Sequence, residues 1–308
     1  MDIDRRAAVA GLVSMLAPIR RLKAQAPSRT RLILLGTGGG PRVKRSRANS
    51  GQAIVAGGKI YVVDCGYGVA HQMVMAGLPL QQLRHVLITH HHSDHDMELG
   101  PLLQIAWAAG LTTRVDCWGP PHMQPMIRDY FAYEAYDLAI RVKDEGRVPL
   151  PPLIHAHDVR GTGLVFKDDV VRVTAAKVEH PPVDLALAYR FDAADRSIVI
   201  SGDTRPSEAL VRLAKGADVL VHEAMLSEHV GELIRWLPDR ERLLKSVLGH
   251  HTTAEQAGQV AAEAGVKLLV LSHLVPGENP DVPDAEWIAA ARRHYSGPIM
   301  VGRDLMEI

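Results

Sequence analysis

Short apolar runs alternate with segments of helical periodicity from about Arg31 to the end of the chain. The runs rich in valine, isoleucine and leucine, such as RLILLG and KIYVV, have the length and composition of buried strands. Strands that alternate with helices are typical of α/β domains rather than of all-α or all-β ones. The pattern therefore predicts an α/β fold and a single domain over residues 29–308.

Side chains that can bind metals or move protons stand where these apolar runs end. Five runs end on an imidazole or a carboxylate, and the residues concerned are His90, His180, Asp203, the pair His222 and Glu223, and His273. In layered α/β folds the carboxyl ends of the strands are where ligands collect. We therefore expect these distant positions to converge on one polar site.

The stretch THHHSDH, residues 89–95, indicates a metal site. His90 and His92 are spaced so that both side chains can reach one ion from the end of an extended strand. Asp94 and His95 cannot crowd onto that ion as well, and they are better placed for a second. Two zinc ions about 4 Å apart form the recurrent pair of phosphatases and nucleases. The alternative, a histidine-rich surface loop with incidental metal affinity, leaves Asp94 and the strand-end residues unexplained.

Composition narrows the classes of partner and ligand. The 308 residues include 35 basic and 35 acidic side chains, so no overall field attracts nucleic acid or an anionic membrane. Cys65 and Cys117 are the only cysteines, too few for a disulfide framework or a thiolate zinc cluster. Sixteen histidines are a rich supply of the commonest protein ligand for zinc.

The stretch LGTGGGP and the basic residues behind it admit simpler explanations than a phosphate site. The glycines lack both the Walker lysine and the dinucleotide-binding spacing, so they predict a tight turn with close backbone approach. The basic cluster is either a solvated loop or a holder for an anionic group near the site, and it comprises Arg42, Lys44, Arg45 and Arg47.

Residues 1–28 admit two interpretations. Arg5 and Arg6 precede a weakly apolar stretch and the sequence Ala24-Gln25-Ala26, which is typical of a twin-arginine signal and favours export to the periplasm over a cytoplasmic location. Export would leave a mature chain that begins near Pro27. Alternatively, the apolar positions share one helical face and predict an amphipathic N-terminal helix docked on the domain. The stretch is too short and too interrupted for a membrane span.

Taken together, the motifs resemble the metallo-β-lactamase superfamily and, within it, the ribonuclease Z group of phosphodiesterases. The matching stretches follow in order from about Leu32 to His273 and are LGTGGGP, VVDCGYGVAHQMVMAGL, THHHSDHDMELGPLL, SGDTRP, VHEAM and HHTTAEQAGQVAAEAGVKLLVLSH. The resemblance implies a four-layer αββα sandwich with two Zn²⁺ ions at one edge of the paired sheets, for which Mn²⁺ or Fe²⁺ could substitute. The implied ligands are His90, His92 and His180 for one ion and Asp94, His95 and His273 for the other, with Asp203 as a bridge and Asp64 orienting a ligating histidine.

The resemblance also implies a proton route. In ribonuclease Z-like enzymes a glutamate in a His-Glu-Ala-Thr motif steers a histidine in a His-Ser-Thr motif towards the leaving oxygen. Glu223 and His251 match these two residues, although Met225, Thr252 and Ser93 depart from the family pattern. Asp94 would orient the attacking hydroxide, and His251 would protonate the leaving oxygen as general acid. His250 is a competing candidate for that acid, but only His251 precedes the matching threonine.

The substrate is where the chain departs furthest from the group. Members that process transfer RNA carry a long glycine-rich, basic arm between the residues that match His180 and Asp203. The connection here, PPVDLALAYRFDAADRSIVISG, has room for a turn and a strand. With no net charge and no arm, we expect a small ester or phosphodiester rather than transfer RNA. The alternatives are a dizinc hydrolase of an aryl sulfate, lactone or β-lactam, and a non-hydrolytic metal-binding or diiron redox protein. A homodimer stays open as the assembly state.

Overall fold

Two β sheets pack face to face in the computed structural model, which describes residues 29–233, 238–279 and 281–308. The first sheet comprises β1 (Arg31–Gly36), β2 (Gly51–Ala56), β3 (Lys59–Val63), β4 (Leu83–Leu87), β5 (Val115–Gly119) and β6 (Ile154–Asp158). The second comprises β7 (Gly163–Lys167), β8 (Val171–Val178), β9 (Ala186–Ala193), β10 (Ser197–Ile200), β11 (Val219–Met225), β12 (Leu269–Val275) and β13 (Ile299–Val301). Residues 1–28, with the predicted signal or N-terminal helix, lie outside the described residues.

Helices follow the strands along the chain. They are α1 (Val69–Met75), α2 (Ser93–Asp96), α3 (Leu99–Ala108), α4 (Met123–Tyr133), α5 (Ala135–Glu145), α6 (Glu208–Ala214), α7 (Ser227–Leu233), α8 (Arg240–His250), α9 (Ala254–Ala264) and α10 (Asp284–Arg292). Helix α9 begins at a capping box, in which Thr253 and Gln256 satisfy each other's backbone N–H groups, and it ends at Gly265. Within the described ranges, no helix is long and apolar enough to cross a bilayer.

Alternation along the strands produces four layers. In β1, Leu32 and Leu34 belong to the core between the two sheets, whereas Ile33 and Leu35 pack under α1 and α3 on the outer face. In β12, Val270 faces the core between the sheets and Leu271 faces α6, α9 and α10. Because both faces of the sheets are covered at β1 and β12, these two strands are nearly continuous apolar runs. The predicted αββα sandwich is confirmed.

Strand direction brings the site residues towards one edge. Strands β3 to β6 are mutually parallel, as are β10 to β13, while β8 shares the direction of β10 because β9 is antiparallel to both. Residues that follow β3, β4, β8 and β10 can therefore meet where parallel strands end. The connection between His180 and Asp203 contains two strands, β9 and β10, and not the single strand that we expected from its length. Eight residues of tightly paired β9 and four of β10 fit because only a short turn joins them.

A stack of aromatic rings fills the space between the sheets away from the polar edge. The ring of His85 lies 5.2 Å from Tyr61 and 4.2 Å from Phe166, nearly parallel to both. Trp118 donates its indole N–H to His85 Nδ1 at 3.2 Å, which requires a lone pair on that nitrogen. Burial lowers the pKa of His85 to about 4. The folded protein therefore holds a neutral imidazole there.

This buried imidazole should make stability depend on pH. A histidine whose pKa is lower in the folded state contributes stability above its ordinary pKa of 6.5, and that contribution is lost as the pH falls towards 4. Denaturant melts of metal-free protein would measure the free energy of unfolding between these pH values. It should fall by about 2 to 3 kcal/mol less in His85→Phe than in the unmodified protein. Loss of the Trp118 hydrogen bond shifts the whole curve but not its slope. Equal slopes in both proteins would contradict the prediction.

Candidate metal centre

The loop behind β4 delivers four of the site residues in one turn. His90 lies in the loop after β4, and His92, which is extended, stands at the N-cap of α2, the helix that carries Asp94 and His95. The loop after β3 lies directly against this helix, because a Cβ on Gly66 would come within 2.1 Å of the Asp94 carbonyl oxygen. Only glycine permits this approach. The sequence DCGYG and the histidine loop therefore form one packed unit.

One group of ligand-type atoms gathers around His92. Its Nδ1 lies 3.0 Å from His90 Nε2 and 3.2 Å from His180 Nε2, although His180 is supplied by the distant end of β8. With an oxygen of Asp203, these three nitrogens form a set whose atoms all lie within 4.8 Å of one another. The first predicted ligand set is thus brought together.

A second group forms beside the first. Asp94 Oδ2 lies 3.3 Å from His273 Nε2 and 3.7 Å from His95 Nε2, and the three ligand atoms lie within 4.8 Å of one another. All three residues are at least nine-tenths buried. The second predicted ligand set also converges, from α2 and from β12.

Asp203 lies between the two groups. Its Oδ1 is 3.3 Å from His95 Nε2, and its Oδ2 is 3.4 Å from His273 Nε2 and 3.9 Å from both His90 Nε2 and His180 Nε2. The side chain is 2% exposed. A carboxylate in this position can contact ions in both groups, as predicted for a bridge.

Hydrogen bonds to the outer ring nitrogens fix how two histidines face the centre. Asp64 Oδ2 lies 2.8 Å from His95 Nδ1 and is itself held by Thr89. Likewise, His180 Nδ1 donates to the His250 carbonyl at 3.0 Å. In both rings the proton therefore occupies Nδ1, and the lone pair of Nε2 points into the cluster. This arrangement is typical of zinc-binding histidines.

His273 reaches the centre through an irregularity in β12. The pairing with β11 shifts between Glu223 and Ala224, and His273 is the extra residue on β12, with φ at +45°. The sequence predicts this histidine at the end of its strand, but it lies within β12, two residues before the end. A bulge with a left-handed residue turns the side chain towards the cluster. Asp64, at φ +61°, is a second site residue in this unfavourable region, and such strain concentrates at functional sites.

The cluster has the properties of a cation site. Among the described residues, His95 Nε2 and Asp203 Oδ1 lie 3.3 Å apart and buried, without the geometry of a hydrogen bond, and a buried polar atom that lacks one ordinarily costs about 1 to 3 kcal/mol. Burial alone would lower the pKa of His95, yet the carboxylates of Asp203, Asp64 and Asp94 raise it well above its ordinary value. The carboxylates therefore favour positive charge at the position where the lone pairs converge. Imidazole and carboxylate donors of this kind suit zinc and similar divalent ions.

Glu223 and His251 form a pair beside the cluster. Glu223 Oε2 lies 2.8 Å from His251 Nδ1, while its Oε1 accepts from the Thr204 backbone N–H. Because Nδ1 faces Glu223, Nε2 is the nitrogen that can meet a substrate in the cavity, which His251 lines. Burial lowers the pKa of His251, but Glu223, followed by Asp203 and Asp94, outweighs burial and raises it to about 9. The neighbouring His250 bonds instead to the hydroxyl of Ser246.

A cavity of about 790 Å³ opens in front of the cluster. One wall is the glycine turn, in which Gly39 lies so close to His273 that a Cβ would come within 2.8 Å of the ring, as the close-approach interpretation predicts. The residues of the basic cluster have different roles. Arg42 and Lys44 line the cavity, and burial lowers the pKa of Lys44 to about 8. Arg47 instead binds the carbonyls of Gly277 and Gly302, so it anchors the loop.

Sequence reasoning missed two sets of residues that shape the site. Thr89, Thr204 and Thr252 hold the acidic residues and the loops behind them, since Thr252 donates to the Thr204 carbonyl next to Glu223. Threonine is not a typical metal ligand, so these residues do not stand out in the sequence, although their places beside the motifs were a usable signal. The cavity lining from α7 and α8 was also missed, because its apolar residues have the spacing of an ordinary core helix.

Comparison with known proteins gives consistent matches. Residues 60–274 match the model of the β-lactamase superfamily domain. Ribonuclease Z of Mycobacterium sp. strain KMS is 34% identical over 277 residues, which cover 89% of this chain and 94% of that protein. The crystal structure of human tRNase Z, short form, has a TM-score of 0.66 at 21% identity and covers 90% of this chain and 98% of its own. The metallo-β-lactamase fold protein YhfI from Bacillus subtilis has the same TM-score at 19% identity, covering 91% and 98%.

Proposed function

Since the chain belongs to the metallo-β-lactamase superfamily and is a metal-dependent hydrolase related to ribonuclease Z, we propose that it hydrolyses phosphodiester bonds with two zinc ions. The proposed ligands are His90, His92 and His180 for one ion and Asp94, His95 and His273 for the other, with Asp203 as the bridge. When bound, the ions would supply Lewis acidity, lower the pKa of water to about 7 and offset charge on the attacked group. Mn²⁺ or Fe²⁺ could take their place.

The observation that carries the phosphodiester assignment is the pair of Glu223 and His251. An alkoxide leaves a phosphorus centre poorly unless its oxygen receives a proton, so the enzyme needs an acid beside the leaving oxygen. His251 lines the cavity and stands 2.8 Å from the Glu223 carboxylate, which orients the ring and favours its protonated form. Asp94, which is also a proposed ligand of the second ion, would orient the attacking water. His251 would act on the leaving oxygen and Asp94 on the attacking water.

The connection between His180 and Asp203 supports a small substrate over transfer RNA. The pairing of β9 with β10 takes up most of residues 181–202, which leaves only short turns and no arm of the kind described for transfer-RNA-processing members. The chain also carries no net charge, whereas phosphate contacts dominate affinity for nucleic acid. A small phosphodiester needs neither feature.

A substrate panel tests the proposal. Protein saturated with zinc would be assayed on a chromogenic phosphodiester, an aryl sulfate, a lactone, a β-lactam and a precursor transfer RNA. We expect turnover of the phosphodiester to exceed that of the other small esters, and the precursor to be cleaved poorly. If a sulfate or a lactone is the best substrate, the alternative ester activity replaces phosphodiester hydrolysis as the proposed function. Efficient processing of the precursor transfer RNA would overturn the small-substrate assignment.

A further inference from the structure

One wall of the cavity is apolar. Helices α7 and α8 contribute Val230, Leu243 and Val247 to the lining, and Val275 continues the surface from the end of β12. The two polar side chains that α8 adds, Ser246 and His250, hydrogen-bond to each other at 3.2 Å. This wall therefore offers a ligand mostly hydrocarbon, whereas Arg42, Lys44 and Glu278 contribute charged groups to the rest of the lining.

The apolar residues of α8 divide between two tasks. Leu244 and Val247 pack against a small cluster of Met225, Val230 and Val275, which fixes the helix on the sandwich. Leu243 is partly buried and lines the cavity, so an apolar group bound there can contact its side chain.

The position of His251 tells which part of a substrate would touch this wall. His251 is the C-cap of α8, one helical turn beyond Val247. A general acid must come within about 2.6 to 3.2 Å of the oxygen that it protonates. The oxygen of the leaving alcohol must therefore lie beside the C-terminal end of α8, the helix from which Leu243 and Val247 line the cavity.

We infer that the alcohol released by this enzyme is an uncharged, apolar group, aryl or branched alkyl, which packs against Leu243 and Val247. The inference rests on the proposed phosphodiester hydrolysis, because it concerns the leaving group of that reaction. The cavity volume of about 790 Å³ lies within the range of small-molecule sites, about 300 to 1,000 Å³. A diester with one bulky apolar alcohol fits such a volume.

Two diesters that differ in one group test the inference. Methyl phosphodiesters of meta-ethylphenol and of meta-(hydroxymethyl)phenol have leaving groups of nearly equal size, charge and acidity, and they differ in whether a methyl or a hydroxyl meets the wall. We expect kcat/KM to favour the ethyl compound by about 10- to 100-fold, the discrimination typical of an apolar pocket. A ratio near one in the unmodified enzyme would overturn the inference.

Variants of α8 locate the preference. Leu243→Gln and Val247→Thr keep the helix and the side-chain size while adding polar atoms, and each should reduce the ratio by about tenfold. Leu248→Gln is the matched control, because Leu248 lies on the same helix, is 40% exposed and does not line the cavity; it should leave the ratio as it is. A ratio that survives both cavity variants would show that the alcohol lies elsewhere.

The binding affinity for the free phenols tests this inference independently of the proposed function. If the protein hydrolyses no phosphodiester, the proposed function fails, and calorimetry on the zinc-loaded protein then compares the two free phenols. Tighter binding of meta-ethylphenol, abolished by Leu243→Gln and kept by Leu248→Gln, would still support an apolar site on α8. Equal binding of the two phenols would overturn it.

Discussion

Replacing Asp203 by alanine is expected to lower phosphodiesterase activity by well over a hundredfold and to release metal from both sites. Asp203 lies within 3.3 to 3.9 Å of four histidines that belong to the two ligand groups, so no other residue affects both as directly. Residues that merely orient a ligand typically contribute about 10- to 100-fold, and a bridging ligand should contribute more. Activity and zinc content would be measured on the same preparation.

A surface carboxylate provides the control for that variant. Asp129→Ala removes an aspartate whose side chain is 65% exposed and pairs only with its neighbour Arg128, so activity and metal content should stay at the unmodified level. Asp203→Ala that keeps two equivalents of zinc and full activity would refute the bridging role.

Replacing His251 by alanine should instead keep both metals and lose rate only where the leaving group needs a proton. A nitrophenolate leaves unaided, so its diester should lose little. A diester with an alkoxide leaving group should lose about 10²- to 10⁴-fold, the range of general-acid catalysis. Both substrates would be compared at saturating zinc, with metal content measured on each variant.

Two neighbouring histidines sharpen this comparison. His180→Ala removes a proposed ligand and should damage both substrates alike through metal loss. His250→Ala removes the adjacent imidazole, which bonds to Ser246. Any decrease in rate that this variant causes should be the same for both leaving groups. Equal slowing of both substrates by His251→Ala, with metals retained, would mean that His251 binds substrate or stabilises charge and does not deliver a proton.

The apolar runs predict the strands, and His90, His180 and Asp203 stand where such runs end. The full set of metal ligands was implied by the resemblance to the metallo-β-lactamase superfamily, because these residues follow strands of two different sheets and local patterns do not specify how the sheets pack. The orientation of His273 could not be predicted in this way. It depends on a bulge that exists only in the pairing of β12 with β11, and nothing in the sequence LLVLSH marks the extra residue.

Long-range partners explain what local patterns missed elsewhere. The four basic residues after the glycine turn look equivalent in sequence, yet Arg47 binds carbonyls that lie 230 and 255 positions away and so becomes part of the framework. In the same way, Leu243 and Leu248 are leucines of one helix, and only the tertiary structure separates the residue that lines the cavity from the one that faces solvent. Such distinctions depend on packing, which a single sequence does not record.

Zinc titration of the metal-free protein, followed by the rate of phosphodiester hydrolysis, tests the dinuclear site and its chemistry together. Because the ligand atoms form two groups joined by Asp203, the rate should rise until about two equivalents of zinc are bound and then stay constant. A rate that reaches its plateau at one tightly bound equivalent, and that Asp203→Ala leaves intact, would contradict the account.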